Sequence, residues 1–149
     1  IFNAGGDLYV HVGFENHPVT EVTWYGANAF AEHYGLRLPT SNEWEKAARG
    51  DLGYDYPWGD DTPTCDIANF AGCEGDTQPV GQTTGESPYG VKDMAGNVWE
   101  WTATLDGTDR VLKGGSFSNG VGLLTTWTNY PMDPLNSNGN VGFRCVVDN

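Results

Sequence analysis

The segment from Asp93 to Trp101 reads Asp-Met-Ala-Gly-Asn-Val-Trp-Glu-Trp and joins two carboxylates to three large apolar side chains. Such a segment must be partly buried, and carboxylates such as Asp93 and Glu100 are rarely buried without a partner. One solution is a bound hard cation, to which the carboxylates and neighbouring backbone carbonyls contribute oxygen ligands. The segment therefore predicts a cation site built from oxygen atoms, which suits Ca²⁺ better than a transition metal.

The three cysteines predict a second local constraint. Cys65 and Cys73 flank a short segment and are placed for a disulfide, which implies an oxidising compartment. A zinc site is the alternative, although no histidine or further cysteine lies near these two residues in the sequence. Cys145 lies in the apolar run 141–147 and is predicted to be a buried free thiol.

Two helices must help to position these residues. The apolar spacing over residues 23–34 predicts the first helix, with Gly35 placed to cap its C-terminus. Thr40 and Glu43 form a capping box, so the second helix should begin at Thr40 and end near Gly50.

The rest of the chain predicts short strands and long loops. Residues 50–90 consist mostly of turn-forming residues, and a loop of about 40 residues needs a cross-link or an ion to hold it. Residues 118–140 form another long loop, and residues 104–109 predict a turn. Short strand-like segments lie at 8–12, 99–103, 110–112 and 141–147. The expected fold class is α+β, with two helices on a small, irregular antiparallel sheet in a single loop-rich domain, residues 1–149.

The charge balance narrows the classes of partner. The 149 residues include 7 basic and 20 acidic residues, for a formal charge of −13. A nucleic-acid partner is therefore not expected, because binding phosphates requires basic side chains. No apolar run approaches the roughly 20 residues needed to span a bilayer. The first six residues lack the features of a signal peptide, so we expect a mature or truncated product.

Nine motifs, in this order along the chain, resemble those of the formylglycine-generating enzyme family, whose members are also called sulfatase-modifying factors. They are His17-Pro18-Val19 with Val22-Thr23-Trp24, Gly35 to Thr40, Glu43 to Gly50, Tyr56-Pro57-Trp58-Gly59, Asn69, Pro79-Val80-Gly81, Tyr89 to Trp101, Arg110 to Phe117, and Gly142-Phe143-Arg144-Cys145. The resemblance covers residues 17–145 and implies a C-type-lectin-like fold with bound calcium. It also implies that the chain is short at its N-terminus, where relatives carry a further segment.

The resemblance assigns ligands to two calcium sites. At the first site, Asp93 and Glu100 would contribute side-chain oxygens, and Gly96 and Val98 would contribute backbone carbonyls. The alternative is that the two carboxylates only cap turns or pair with a basic residue, either Arg110 or Lys92. The second site would use the Asn69 side chain and the Phe70 carbonyl, with Asp76 as a further candidate in a loop whose length differs from that of relatives.

The resemblance also bears on catalysis. Active relatives have two cysteines shortly after the Gly-Gly-Ser motif, which hold Cu(I) and exchange with a substrate cysteine. Counted without gaps, these positions are Asn119 and Leu124, neither of which can ligate copper. A second enzymatic branch holds iron with histidines, but the only histidines, His11, His17 and His33, do not form the expected triad. Formylglycine-generating activity is therefore not expected.

The loop from Ser118 to Asn140 mixes small polar residues with Trp and Tyr, a composition typical of adaptable binding surfaces. Variable proteins of diversity-generating retroelements place ligand-contacting residues before a similar Gly-Phe-Arg ending. The alternative is that the aromatic residues, Trp127 above all, are buried in the core. The predicted ligand-binding residues are Asn119, Thr126, Trp127, Asn129, Tyr130 and Asn138.

These observations predict a non-catalytic, calcium-stabilised domain that binds a protein or glycan, or that self-assembles through an exposed strand edge. Its expected location is extracellular, at the cell surface or periplasmic. The alternative is a metal-dependent oxidase of the formylglycine-generating type with a rearranged site.

Overall fold

A computed structural model describes residues 2–4 and 7–148 of the chain. Strands β1 (Phe2–Ala4) and β2 (Asp7–Tyr9) form an antiparallel hairpin that precedes the rest of the fold. The predicted strand at 8–12 is therefore present only at its beginning.

The two predicted helices are confirmed as α1 (Trp24–His33) and α2 (Ser41–Arg49). Thr23 caps α1 by accepting a hydrogen bond from the Gly26 backbone N–H, and α1 buries Trp24, Ala27 and Ala31. Helix α2 begins with the complete capping box of Thr40 and Glu43 and buries Trp44 and Ala48. Local signals located both helices because capping and apolar spacing act within a few residues.

Four strands form the main sheet in the order β5-β4-β3-β6. The strands are β3 (Trp99–Asp106), β4 (Asp109–Lys113), β5 (Tyr130–Met132) and β6 (Val141–Phe143). The prediction of an antiparallel sheet is wrong at one edge, because β6 pairs with β3 in parallel. The predicted turn at 104–109 is narrower because β3 continues to Asp106, and β5 lies within a segment predicted to be loop.

The sheet packs against α1 through a core rich in tryptophan. Trp24 of α1 contacts a buried cluster that includes Trp99, Trp101, Leu112 and Val141. The two indole N–H groups of Trp24 and Trp101 donate to the backbone carbonyls of Thr102 and Val22, respectively. Large aromatic residues thus supply much of the buried area while their polar atoms remain paired.

Residues 50–90 contain no helix or multi-residue strand, as predicted from their composition. The predicted disulfide between Cys65 and Cys73 is present, with the two Cα atoms 5.5 Å apart. Cys145 is free, as predicted, but it is only partly buried because it follows the end of β6. No helix among the described residues is long and apolar enough to cross a membrane.

The start of α2 also predicts a dependence of stability on pH. The Arg37 guanidinium, and after it the Thr40 backbone N–H, hold the pKa of Glu43 at about 2, below its ordinary value of 4.5. The ionised carboxylate therefore stabilises the fold above about pH 4.5, and this contribution is lost as the pH falls through about 2. We expect Glu43→Gln to reduce the loss of stability between about pH 6 and about pH 3 in urea titrations. An acid dependence identical to that of the wild type would contradict this assignment.

Candidate functional site

The segment from Asp93 to Trp101 enters β3 through an unusual backbone. Asp93, Gly96 and Asn97 have positive φ angles of 56°, 78° and 63°. The Gly96 N–H donates to the Gly114 carbonyl at 2.8 Å, and the Asn97 N–H donates to the Asn69 carbonyl at 2.8 Å. The segment is therefore held between the loop that carries Asn69 and the Gly-Gly-Ser motif.

Glu100 lies at the centre of a buried polar cluster. Glu100 is 5% exposed, and its Oε2 atom accepts hydrogen bonds from Trp44 Nε1 and Arg144 Nε, each at 2.6 Å. Its Oε1 atom accepts a bond from the second guanidinium nitrogen, Arg144 Nη2, at 2.7 Å. Arg144 Nη2 also donates to the carbonyls of Lys92 and Asp93. Arg144 and Glu100 thus form a bidentate ion pair, which neutralises the buried carboxylate.

The Asp93 carboxylate does not bond Arg144 but accepts hydrogen bonds from the turn near residue 81. It accepts bonds from the Gly81 N–H at 2.6 Å and the Thr83 hydroxyl at 3.2 Å. The proposed pairing of these carboxylates with Arg110 or Lys92 is wrong. Arg110 lies over the Trp24 ring, and Lys92 pairs with Glu86, so Arg144 takes the role instead.

The four predicted ligands of the first calcium site line one cavity of about 260 Å³. This cavity is lined by Asp93, Gly96, Val98 and Glu100, and also by Arg144. A carboxylate has about four acceptor positions, and Glu100 already accepts three hydrogen bonds. The carboxylates at this site are therefore satisfied largely by the chain's own donors, and only part of their capacity is left for a cation.

Asn69, the predicted ligand of the second site, is in a different state. The residue is 1% exposed, and its Nδ2 donates to the Asp76 carbonyl at 2.8 Å. Its Oδ1 atom is buried without a hydrogen-bond partner. The adjacent Phe70 carbonyl accepts a single bond, from the Cys73 N–H. An unpaired buried oxygen costs about 1–3 kcal/mol, so these residues fit a hard cation better than those at the first site.

Asn119, which the resemblance puts at the first cysteine position of active relatives, lies beside this region. Asn119 accepts a bond from the Ser116 hydroxyl at 2.6 Å, and its backbone carbonyl accepts the Ala71 N–H. Asn140 donates to the hydroxyls of both Ser116 and Ser118. Leu124, at the second position, is fully buried. Hydroxyl and amide groups therefore form a hydrogen-bonded cluster around Asn119, the first of the two positions that the resemblance assigns to cysteines.

His11 and His17 line the same cavity, whereas His33 does not. His17 hydrogen-bonds Thr77 and contacts the Phe14 ring, whereas His33 lies on α1 against Tyr34. Within residues 2–4 and 7–148, no three His, Cys, Asp or Glu side chains come together as a metal-binding group.

The predicted ligand-binding residues differ widely in exposure. Thr126 is fully buried and donates to the Tyr54 carbonyl, so it cannot contribute to an exposed surface. Trp127 is 52% exposed, which corrects the expectation that it is more often buried. Its indole N–H donates to the Asp55 carboxylate at 3.2 Å, and the Thr126 N–H donates to the Asp55 carbonyl. The exposed indole is thus held in place by a second loop.

Of the other predicted residues, Asn129, Tyr130 and Asn138 are exposed and contact the fold, whereas Asn119 is half-buried. Tyr130 is 48% exposed and stacks on Trp99, with 5.2 Å between ring centroids. Asn129 accepts a hydrogen bond from the buried Lys113 ammonium, and the Asn138 side chain contacts Met132. Asn119 belongs to the hydroxyl–amide cluster with Ser116, and it makes none of the contacts described for the other three side chains.

Two residues important at the site were assigned no role from the sequence. Arg144 was visible only as part of the Gly-Phe-Arg-Cys ending. Lys113 is fully buried between the Glu45 carboxylate and Asn129, and burial lowers the pKa of its ammonium. The sequence did contain a signal for Lys113, a basic residue at the end of an apolar strand. A charge at such a position is buried and therefore requires a partner.

The family model described as the sulfatase-modifying factor enzyme 1-like domain matches residues 4–149. The chain belongs to this family. A formylglycine-generating enzyme of Streptomyces coelicolor is 38% identical and aligns with 91% of the chain and 54% of its own length. An inactive C-alpha-formylglycine-generating enzyme 2 of Bos taurus is also 38% identical and aligns with 87% of the chain and 50% of its own length. The family therefore includes both enzymes and an inactive member, and the chain spans about half the length of these two relatives.

The fold agrees with that of solved members of the same structural class. Treponema denticola variable protein 1 matches with a TM-score of 0.78 over 94% of this chain and 74% of its own, at 21% sequence identity. This likeness establishes the C-type-lectin-like fold of the family, in which two helices pack on a curled mixed sheet.

Proposed function

We propose that this family member is a non-catalytic, calcium-stabilised domain that binds a protein or glycan. The observation that supports the proposal is the hydrogen-bonded cluster of Ser116, Ser118, Asn119 and Asn140 around position 119, where the family resemblance leads us to expect a catalytic cysteine. Cu(I) requires soft thiolate ligands, which hydroxyl and amide oxygens do not replace. We therefore propose that the domain retains the family scaffold without the pair of thiolates, expected at positions 119 and 124, that copper-dependent thiol oxidation requires.

The exposed loop residues support a binding role. Trp127 is about half exposed, and the Asp55 carboxylate holds its indole by accepting the indole N–H. A side chain that is already ordered loses little conformational entropy on binding, which favours affinity. Asn129 and Tyr130 follow Trp127 closely in the sequence and supply an exposed amide and an exposed aromatic ring. Asn138 adds a further exposed amide. The same surface could instead bind a second copy of the chain, which would make the domain self-assemble.

Calcium is the cofactor that this proposal assigns to the two oxygen sites. Asn69 Oδ1 and the Phe70 carbonyl would hold one ion, and the unpaired state of Asn69 Oδ1 supports this site. Asp93, Gly96, Val98 and Glu100 would hold the other. When bound, the ion would neutralise buried oxygens and fix the loops that carry them. The Cys65–Cys73 disulfide is consistent with a location outside the cytoplasm, which we propose as the extracellular space, cell surface or periplasm.

Removal of calcium should destabilise the domain. We expect EDTA to lower the melting temperature by about 5–10 °C, the effect of losing a ligand present at about a hundred times its Kd. Asn69→Leu should lose much of this sensitivity, whereas Asn136→Ala, at an exposed loop position, should retain it. The measurement is differential scanning calorimetry with and without chelator. A wild-type melting temperature unchanged by EDTA would remove calcium from the proposal.

Catalysis is tested by loading the protein with copper or iron and measuring oxygen uptake with a cysteine-containing peptide. We expect uptake no faster than the metal-only background, because residues 119 and 124 provide no thiolate. A formylglycine-generating enzyme with both cysteines serves as the positive control. Turnover above background would instead support the alternative, a metal-dependent oxidase with a rearranged site.

A further inference from the structure

A groove of about 790 Å³ lies between the segment that follows β2 and the turn that precedes α1. Its apolar lining includes Val10, Phe14 and Val19, each of which is between 43% and 48% exposed. Apolar side chains left half-exposed along a concave surface are typical of a binding site.

The charged residues of this groove are all of one sign. Glu15, Glu21 and Asp76 line it, and no lysine or arginine does. The backbone N–H groups of Glu15 itself and of Gly13 lower the pKa of the Glu15 carboxyl, which keeps it ionised. The Glu21 carboxylate makes no hydrogen bond or ion pair with the part of the chain that the structure describes. The groove therefore presents three acidic side chains, of which the Glu21 carboxylate has no partner among the described residues.

The walls of the groove are anchored to the domain. The Asn16 carbonyl accepts the Val80 N–H at 2.9 Å, and His17 hydrogen-bonds Thr77 at 2.8 Å. Glu21 has a positive φ of 55°, an uncommon conformation for a residue other than glycine, and its N–H donates to the Asn138 carbonyl. Strained residues that the surroundings hold in place occur often at functional sites. Glu21 is thus presented in a defined position at the groove.

We propose that this groove binds a short, extended peptide segment in which Lys or Arg side chains alternate with bulky apolar ones. The basic side chains pair with Glu15 and Glu21, and the apolar ones pack on Val10, Phe14 and Val19. None of the six residues to which the proposed function assigns calcium lines the groove, and of the Ser118–Asn140 loop only Gly139 does.

Charge complementarity favours this occupant over the others. A second copy of the chain would bring a formal charge of −13 to an acidic surface, which opposes association. A purely apolar partner would leave the carboxylates without counter-charges as water is excluded, at a cost in free energy. A basic, partly apolar peptide satisfies both kinds of lining residue at once.

The test uses a fluorescein-labelled, cysteine-free nonapeptide of alternating Lys and Leu, with binding followed by fluorescence anisotropy. One comparison peptide replaces every Lys with Gln, and another replaces every Leu with Ser. We expect the Lys–Leu peptide to bind most tightly and its affinity to fall between about 0.05 M and about 0.5 M salt. Equal binding of the Gln–Leu peptide would overturn the role of the carboxylates, and equal binding of the Lys–Ser peptide would overturn the role of the apolar lining.

Protein variants then locate the site. The double variant Glu15→Gln/Glu21→Gln should weaken binding by about fivefold. The matched double variant Asp106→Asn/Asp148→Asn removes the same charge outside the groove and should change the affinity less than about twofold. Equal weakening by both pairs would show non-specific attraction and overturn the proposal. Glu21→Lys alone should weaken binding at least as much as the neutral pair, and melting temperatures establish that each variant is folded.

Discussion

Gly96→Ala is expected to lower the free energy of unfolding by about 3 kcal/mol or more, one of the largest effects of a single methyl group in this domain. A Cβ atom at position 96 would lie 2.2 Å from the Asn69 carbonyl oxygen and 2.9 Å from its carbon. The φ of 78° adds strain, because residues with a Cβ rarely adopt it.

The surrounding hydrogen bonds prevent simple relief of this clash. The Asn69 carbonyl accepts the Asn97 N–H, and the Gly96 N–H donates to the Gly114 carbonyl, so displacement of the segment at residues 96–97 would break a hydrogen bond on either side. The substitution should therefore also disturb Asn69, the proposed calcium ligand. Chemical denaturation should reveal the loss, together with a melting temperature lower by about 6–12 °C.

Gly122→Ala is the matched control for this experiment. Position 122 lies in the short 3₁₀ helix Val121–Leu123, and a Cβ atom there would have no heavy atom within 4 Å. Its effect should stay within about 0.5 kcal/mol. Similar stabilities for the two alanine variants would contradict the close approach at Gly96.

Arg144→Met is expected to lower the free energy of unfolding by about 3 kcal/mol, because it leaves the buried Glu100 carboxylate without its ion-pair partner. Glu100 would keep only the hydrogen bond from Trp44 Nε1. The carbonyls of Lys92 and Asp93 would also lose the donor that they share. Lysine at position 144 should restore only part of the lost free energy of unfolding, since it cannot make the bidentate contact with Glu100.

A double-mutant cycle separates the ion pair from the packing of the arginine side chain. Glu100→Gln/Arg144→Met should be less destabilised than the sum of the two single variants, because no charge is left buried and unpaired. Urea titrations of the four proteins give the coupling energy, expected to be about 2 kcal/mol. Additive effects would mean that the contact between Glu100 and Arg144 contributes little.

Calcium adds a second readout to the same cycle. Arg144 supplies two of the three hydrogen bonds to Glu100, so its removal frees carboxylate capacity in the cavity beside Gly96 and Val98. If calcium binds at this site, the stability of Arg144→Met should respond more strongly to added Ca²⁺ than that of the wild type. The double variant, which lacks the Glu100 charge, should respond less than Arg144→Met.

Features with local causes were predictable from the sequence. Thr23 and Thr40 cap helices whose apolar residues repeat within the same ten positions, so no distant contact was needed to locate them. The disulfide joins cysteines separated by only 8 positions, and the turn-forming residues between 50 and 90 exclude regular structure by composition alone. The order of the motifs was sufficient to indicate the family.

Only the tertiary structure decided which distant groups meet. Strand β6 has three residues, and neither its length nor its alternation indicates that it pairs in parallel with Trp99–Trp101. Glu100 is paired with Arg144, which is 44 positions away, because the Lys92 and Arg110 side chains are held elsewhere. The exposure of Trp127 and the unpaired oxygen of Asn69 likewise depend on neighbouring loops. The sequence by itself determined the scaffold through short-range interactions, whereas long-range packing decided the partners of its charged and polar groups.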